Sequence, residues 1–317
     1  MLHAVESVFS IILMLGLGWL LASKGWFKNG GESLISRLVI GVSLPAYLVY
    51  SLLTSYDREK LVSILPGLPV PFASMIISIL LAWGIAITIR IPRGRRGAFV
   101  SMFAMSNTLF IGSAVNVLLF GDAALPFALL YYIANTTLFW TVCVYGIACD
   151  GAARAGRPAP SLLSLSGLKR VLSPPLMAFI GSVIIILLGI RLPKPVMDFC
   201  RYTGNMTTGL SMIFVGITIS HLEWKKLRFS ADLGLVLAGR FLISPLIAYF
   251  MMKGTDLPLL MKQVFLLQAS MPAMTQTPLV AAANGADSEY VAIGTSLSTV
   301  LGLATIPIYM GFIGQIF

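Results

Sequence analysis

Charge is scarce in this chain. Only 11% of its 317 residues are charged, and just twelve are acidic, against about a quarter charged in an ordinary soluble domain. Together with 57% hydrophobic residues and a mean hydropathy of +0.91, that deficit excludes a water-soluble globular domain. Cysteine is nearly missing as well: Cys143, Cys149 and Cys200 are odd in number and scattered, which excludes a disulfide framework and a cysteine metal site and leaves free thiols. Histidine is limited to His3 and His221, so no His/Asp metal spacing exists. Within the apolar runs there is neither a nucleophile beside a base nor a pair of carboxylates, so enzyme chemistry finds no constellation to work with. No G-x-x-x-x-G-K-S/T loop occurs, which leaves direct ATP drive unsupported, and no cofactor is called for.

What fills the chain is apolar runs. A spanning helix needs about 20 apolar residues, and ten such stretches can be drawn, at about 3–22, 32–54, 66–90, 96–120, 122–148, 170–190, 194–219, 230–252, 259–284 and 287–315. The expected class is an all-α polytopic membrane protein. Its first run starts at Met1 without a basic leader or a small-residue cleavage site and reads as helix 1 of the mature chain. The net charge of +10 is no nucleic-acid footprint, because the basic residues flank the helices. Most of them fall in odd-numbered loops, among them Arg90, Arg93, Arg95, Arg96, Arg154 and Arg157. The positive-inside bias places those loops in the cytoplasm and both termini outside, across the cell inner (plasma) membrane. The cluster RIPRGRR (90–96) serves as a topological anchor that can also meet anionic lipid.

The longest polar connector, DGAARAGRPAPSLLSLSG (150–167), divides the helices five and five. The expected organisation is a first half over 1–148, a cytoplasmic linker over 149–168 and a second half over 169–317. An odd number of spans per half inverts the second half, the plan of many secondary transporters. A shift of 164 residues lays Val100 on Val264, Ser106 on Ser270 and Gly121 on Gly285. More telling is a repeated kind of segment: helix 4 is interrupted by SNTLFIGSAVN (106–116) and helix 9 by ASMPAMTQTP (269–278). Pro272 and Pro278 each lack an N–H and clash with the carbonyl four residues back, so the stretch between them is not expected to hold a regular helix. Backbone freed at membrane depth has to line a protein-enclosed, hydrated cavity. The half-helix ends then face that cavity, N-terminal ends suiting an anion and C-terminal carbonyls a cation. Helix 4 uses Asn107, Thr108 and Gly112 in place of proline: glycine allows unwinding, while the amides of Asn107 and Asn116 donate and accept. Pro45, Pro126, Pro245 and Pro307 stand alone in apolar surroundings and read as ordinary kinks.

Helix 8 carries Arg240 twelve residues after Arg228 and thirteen before Lys253, the middle of a hydrocarbon core about 30 Å thick. A central arginine costs at least about 2.5–3.5 kcal/mol on insertion scales, so it needs a partner. No Asp or Glu lies at that depth, and two readings stand: Arg240 meets helix-end carbonyls exposed by the breaks, or it meets an anionic substrate. Tyr131, Tyr132, Asn135 and Thr136 form a polar patch in helix 5, either a helix-packing hydrogen-bond set or part of the cavity wall. His221, beside Glu223, Lys225 and Lys226, reads as a solvated interfacial residue, and His3 likewise.

On these residues the chain resembles the auxin efflux carrier family of membrane transporters, over essentially its whole length. SNTLFIG (106–112) is similar to the family's Asn-Thr plus Gly crossover motif, and Met271 to Pro278 to its proline-bearing crossover; GRFLISP (239–245) and SLSTVLGLATIPI (296–308) add support. The resemblance implies ten helices in two inverted five-helix repeats whose helices 4 and 9 cross, a fold related to the bile acid:sodium symporter-like transporters. Helices 1, 2, 6 and 7 would form a scaffold domain, with homodimers through it, and helices 3–5 with 8–10 a transport domain moving as an elevator. It also implies a small organic anion, auxin-like or a dicarboxylate, as substrate, with the coupling ion, proton or sodium, left open. It implicates Asn107 and Gly112 with Pro272 and Pro278, and puts Gln268, Thr275 and Gln276 nearby. Thr108, Asn116 and Arg240 complete the substrate-binding candidates. Two other functions stay in view: a sodium-coupled bile-acid-type symporter and a non-transporting membrane anion sensor. The chain departs from the family at Ser113-Ala114, where proline is frequent, so its first crossover is expected to be less sharply unwound. Its short central loop matches bacterial-type members.

Overall fold

The computed structural model describes residues 2–27, 31–158, 174–220 and 230–316. Among the described residues there is no strand, and the one element that is not helix or turn is an isolated antiparallel bridge between Ser106 and Ala273. Four helical stretches are long and apolar enough to cross a bilayer, Leu61–Thr88, Asp122–Arg154, Ala231–Met252 and Ser288–Ile316, and five shorter apolar ones accompany them. The chain is an all-α, multi-pass membrane protein.

Two compact units make up the chain. The first comprises Met1–Gly67, Leu109–Leu129 and Leu172–Leu222. In it α1 (Leu2–Ser23) lies along α12 (Met206–Ser220), and α3 (Leu44–Ser55) packs on α10 (Pro174–Leu187) and α11 (Lys194–Gly204). Glycine sets these approaches. A Cβ on Gly18 would stand 2.2 Å from the Ile213 carbonyl oxygen, and one on Gly216 would stand 2.1 Å from that of Leu15. Such backbone-to-backbone contact is how helices gain packing where lipid supplies no hydrophobic drive. The short helices α2 (Gly31–Leu38), α4 (Arg58–Ile64) and α7 (Ser113–Phe120) complete the unit. Helix α4 runs through the turn Leu65–Gly67 toward α5, so the third helical stretch begins earlier than the expected residue 66.

The second unit comprises Leu68–Thr108, Leu130–Val171 and Glu223–Phe317. Helix α5 (Pro69–Thr88) opens with proline in its first turn, where the missing N–H costs nothing. It exposes Ile76, Leu80, Leu81 and Ile87 on one face and buries Met75, Ser78, Ala82 and Ala86 on the other. Its buried hydroxyls return to its own backbone, Ser74 to the Pro71 carbonyl at 3.0 Å and Ser78 to that of Ser74 at 2.9 Å, because lipid offers no other acceptor. Helix α6 (Arg96–Ala104) is buried from Gly97 to Ala104, and α5 and α9 (Val144–Arg154) pack against it. Helix α9 follows α8 (Leu125–Leu138) through the wide π-helical turn Phe139–Cys143. It continues to Arg154, into the polar connector, because the Asp150 carboxylate accepts the Gly97 and Ala98 amides that open α6, at 2.9 and 2.8 Å. The remaining helices are α13 (Ala231–Ala238), α14 (Ser244–Met252), α15 (Leu259–Ala269), α16 (Thr277–Ala283) and α17 (Ser288–Ile316). The expected linker residues 159–168, and His221, Glu223, Lys225 and Lys226, lie outside the described residues, as does the His3 side chain.

Candidate functional site

Both interruptions occur where the sequence places them. The first helix stops at Ala104, Met105 is extended, and Met105, Ser106 and Asn107 are out of helix, with the Thr108 N–H turning back onto the Ser106 carbonyl at 2.9 Å. The π-helical turn Thr108–Gly112 follows and runs into α7. Gly112, with φ near −62°, is helical and does not unwind the chain. The expected break over 106–116 is therefore shorter than drawn, since no proline forces Ser113 to Asn116 out of helix. The second break spans Ser270 to Gln276, and Pro278 sits in the first turn of α16. It starts the next half-helix and does not disrupt one, because a first-turn proline has no intrahelical bond to lose.

Within the second unit the two irregular segments pair with each other. The Asn107 backbone N–H donates to the Pro272 carbonyl at 2.8 Å, and Ser106 and Ala273 form the antiparallel bridge. Each segment is braced by a side chain from the long helix that follows it. Asn135 of α8 accepts the Ser106 N–H at 3.1 Å and donates to the Ser106 carbonyl at 3.0 Å, while Ser298 of α17 accepts the Ala273 N–H at 3.0 Å. One turn further along α17, a Cβ on Gly302 would stand 2.4 Å from Pro272 Cγ, so only glycine leaves room for that ring. Backbone that lipid could not satisfy is thus satisfied by protein.

Arg240 is fully buried. It sits in the π-helical turn Gly239–Ile243 and donates from Nη1 to the Phe103 carbonyl at 3.1 Å and from Nη2 to the Ala269 carbonyl at 2.5 Å. Those carbonyls belong to the C-terminal turns of α6 and α15, the half-helices that lead into the two breaks. Of the two readings of Arg240, the geometry is that of a group on helix-end carbonyls. Its Nε is buried with no hydrogen-bond partner.

The other candidates separate by exposure. Gln268 is buried and donates to the Thr108 carbonyl at 3.4 Å, and Thr108 and Asn107 are each 2% exposed. Pro272 is buried against Gly302, whereas Thr275, Gln276 and Pro278 are partly accessible. The Asn107 amide reaches the Thr275 hydroxyl at 3.5 Å, which joins the two breaks through side chains as well as backbone. Asn116 bonds its own helix, donating to the Gly112 carbonyl at 2.7 Å; these two residues fall in the first unit and Asn107, Thr108, Gln268, Pro272, Thr275, Gln276, Pro278 and Arg240 in the second. The polar patch of helix 5 resolves into the Asn135 brace, with Tyr131 buried against the Phe265 ring.

Ser298 and Asp150 are the residues that reading by motif missed, whereas Asn135 belongs to the polar patch of helix 5, where the sequence leaves its role open. For Ser298 a signal was available, a polar residue inside an apolar run; Asp150 lies in the polar connector, where a carboxylate draws no notice. At the other end of α6, Arg95 pairs with Asp287 at 2.6 Å, as does Arg154 at 3.1 Å, and Arg95 also stacks over the Tyr290 ring. The end of α9 and the segments that precede α6 and α17 meet there. A separate cavity of about 620 Å³ in the first unit, between Tyr56, Arg58 and Arg191, contains none of the candidates.

Comparison with known proteins follows this geometry. Residues 3–310 match the family described as Membrane transport protein. An "Uncharacterized transporter" of Methanothermobacter thermautotrophicus is 30% identical over 96% of this chain and 97% of its own length. An "Uncharacterized transporter" of Methanocaldococcus jannaschii is 21% identical over 96% of this chain and 97% of its own. A "Putative malonate transporter" of Rhizobium meliloti is 22% identical over 64% of this chain and 62% of its own. A multi-pass chain with two paired helix interruptions, matched over nearly its full length in this way, belongs to the Membrane transport protein family, that of the auxin efflux carriers.

Proposed function

We propose that this protein is a secondary active or facilitative transporter of a small organic anion, a carboxylate of auxin-like or dicarboxylate kind, which it carries by elevator-type alternating access. The observation that carries the reading is the pairing of the two breaks. Two irregular segments from opposite halves of the chain place the Asn107 amide beside the Thr275 hydroxyl, with Gln276 partly accessible next to it. Donors of this kind suit carboxylate oxygens. Helix ends aimed at a midplane site are the recurring plan of transporters with inverted repeats. The "Putative malonate transporter" relative supports a dicarboxylate.

In this reading Asn107, Thr275 and Gln276 touch the substrate. Gln268, Thr108, Pro272, Pro278 and Arg240 hold the crossing, and Gly112 and Asn116 shape the half-helix that follows the first break. Ten spans in two inverted five-helix repeats, 1–148 and 169–317, fit the matched roles of Asn135 and Ser298, each on the long helix after its break. Helices 1, 2, 6 and 7 form the scaffold, a role supported by the grouping of Met1–Gly67 with Leu172–Leu222. Homodimers form through it. Helices 3–5 and 8–10 move, although Leu109–Leu129 groups with the first unit. The meeting of three odd-numbered loops at the Arg95–Asp287 pair supports their common cytoplasmic side in the inner membrane, with both termini outside.

Uptake of labelled malonate, and of other mono- and dicarboxylates, into proteoliposomes tests the proposal. Wild type accumulates at least one of them, and Asn107→Ala and Thr275→Ala raise KM at least tenfold. Binding without flux under imposed proton and voltage gradients would make the protein a sensor. Unchanged affinity in both variants would move the site elsewhere.

A further inference from the structure

The ends of α6 and α15 present carbonyls to one point in the protein. The last turn of a helix carries a partial negative charge on its unpaired carbonyls, and here two such ends converge on the Arg240 guanidinium, through Phe103 at 3.1 Å and Ala269 at 2.5 Å. Ser244, one turn on from Arg240, adds its hydroxyl to the Phe103 carbonyl at 3.3 Å. Among the described residues no carboxylate pairs with Arg240, which is 0% exposed. The approach is built for this contact: a Cβ on Gly239 would stand 2.2 Å from the Phe103 ring. The Tyr309 hydroxyl meanwhile takes up the Phe241 carbonyl of the same π-helical turn at 2.6 Å.

In transporters with discontinuous helices, unwound carbonyls and C-terminal half-helix ends are where a coupling cation is held. We propose that Arg240 is a tethered cation in that position, so that the crossing is electrostatically complete without sodium and transport runs independently of it. The positive charge neutralises both helix ends permanently, and the anion binds in the field of a fixed charge instead of a bound ion. Arg240 is then a positioning residue that acts on substrate through the two half-helices. The flux part of this inference rests on the organic-anion reading; the cation part rests on the contacts of Arg240 alone.

The experiment uses the purified full chain and the variants Arg240→Lys, Arg240→Gln and Arg240→Ala. Apparent melting temperature is measured in sodium chloride against choline chloride at equal ionic strength, and again with low-millimolar guanidinium. Labelled malonate uptake is measured with and without sodium. Wild type is indifferent to sodium in both assays. Arg240→Lys, which keeps the charge, retains more than half of wild-type uptake, whereas Arg240→Gln, which keeps hydrogen-bonding capacity without charge, loses at least tenfold. Arg240→Ala melts several degrees lower and regains part of the loss with guanidinium or sodium. Specific stabilisation of wild type by sodium would overturn the proposal, as would a Gln variant equal to wild type or an Ala variant that no cation restores. If the Ala variant does not fold, the Lys and Gln pair decides. A wrong organic-anion reading would show differently, as no uptake of any carboxylate by wild type while the melting results stand.

Discussion

At the first break the chain leaves the helix for three residues, Met105 to Asn107; at the second it stays irregular for seven, Ser270 to Gln276. The first contains no proline and is held by an amide side chain that answers both the N–H and the carbonyl of Ser106. The second has Pro272, which has no N–H to satisfy, and its Ala273 N–H is held by a single hydroxyl. The difference follows from how each chain is kept from being helix. Pro272 forbids the helix through its own ring, so that segment needs little outside help. Met105 to Asn107 have no such prohibition, and their non-helical form depends on a partner that takes the Ser106 N–H and joins the Thr108 N–H at its carbonyl.

That asymmetry can be broken by deleting the braces. Asn135→Leu orphans the buried Ser106 N–H, at about 1–3 kcal/mol, and takes one of two donors from the Ser106 carbonyl, which keeps the Thr108 N–H at 2.9 Å, at about 0.5–1.5 kcal/mol, so thermal melts in detergent should show roughly 2–4 kcal/mol lost and malonate uptake should fall at least tenfold. Ser298→Ala orphans one N–H, for about 1–3 kcal/mol. A Ser298 variant less stable than the Asn135 variant would reverse the ranking of the two breaks. The prolines separate next. Pro272→Ala adds a buried N–H and empties the space against Gly302, and should cost about 1–3 kcal/mol. Pro278→Ala, in the first turn of α16, should cost no more than about 0.4–1 kcal/mol through the freer unfolded chain. Equal losses would mean that Pro278 does more than start a helix.

The class of the chain, the places where its helices fail and the need of Arg240 for partners were all legible in composition and in local chemistry. They follow from rules that act within a few residues: apolar length, proline's missing donor, the cost of a charge in lipid. What escaped depends on which helix packs where. Gly112 looks like a hinge by type and is helical, because the chain resumes its bonds in a π-helical turn at Thr108. Pro278 looks like a breaker and begins a helix, because the backbone had already turned. Ser298 stands in its own helix as an ordinary polar residue and Asn135 in a polar patch whose role the sequence leaves open, and only the two breaks, distant in sequence, give them work. Asp150 sat in a connector that reads as solvated, yet it is 2% exposed against two amides of α6.

The smallest expected effect asks whether the breaks share a common anchor. Asp287 precedes α17, which braces the second break, and its partner Arg95 precedes α6, which leads into the first. Burial alone would raise the Asp287 pKa, but the Arg95 hydrogen bond, the Tyr290 amide and the charges of Arg95 and Arg154 outweigh it, and the net shift is downward. A carboxyl lowered in the folded state stabilises it above its unfolded pKa of about 3.9 and loses that contribution as pH falls through the lower folded value. Both guanidinium groups are nearly half exposed, so solvent screening holds the gain to about 0–1 kcal/mol. The melting difference between wild type and Asp287→Asn should therefore stay level from neutral pH down to about pH 4 and shrink below it. Salt should reduce it as well. A difference that grows on acidification would reverse the sign of the pairing, and a loss of uptake with no loss of stability would assign Asp287 to the transport cycle instead of to the anchor.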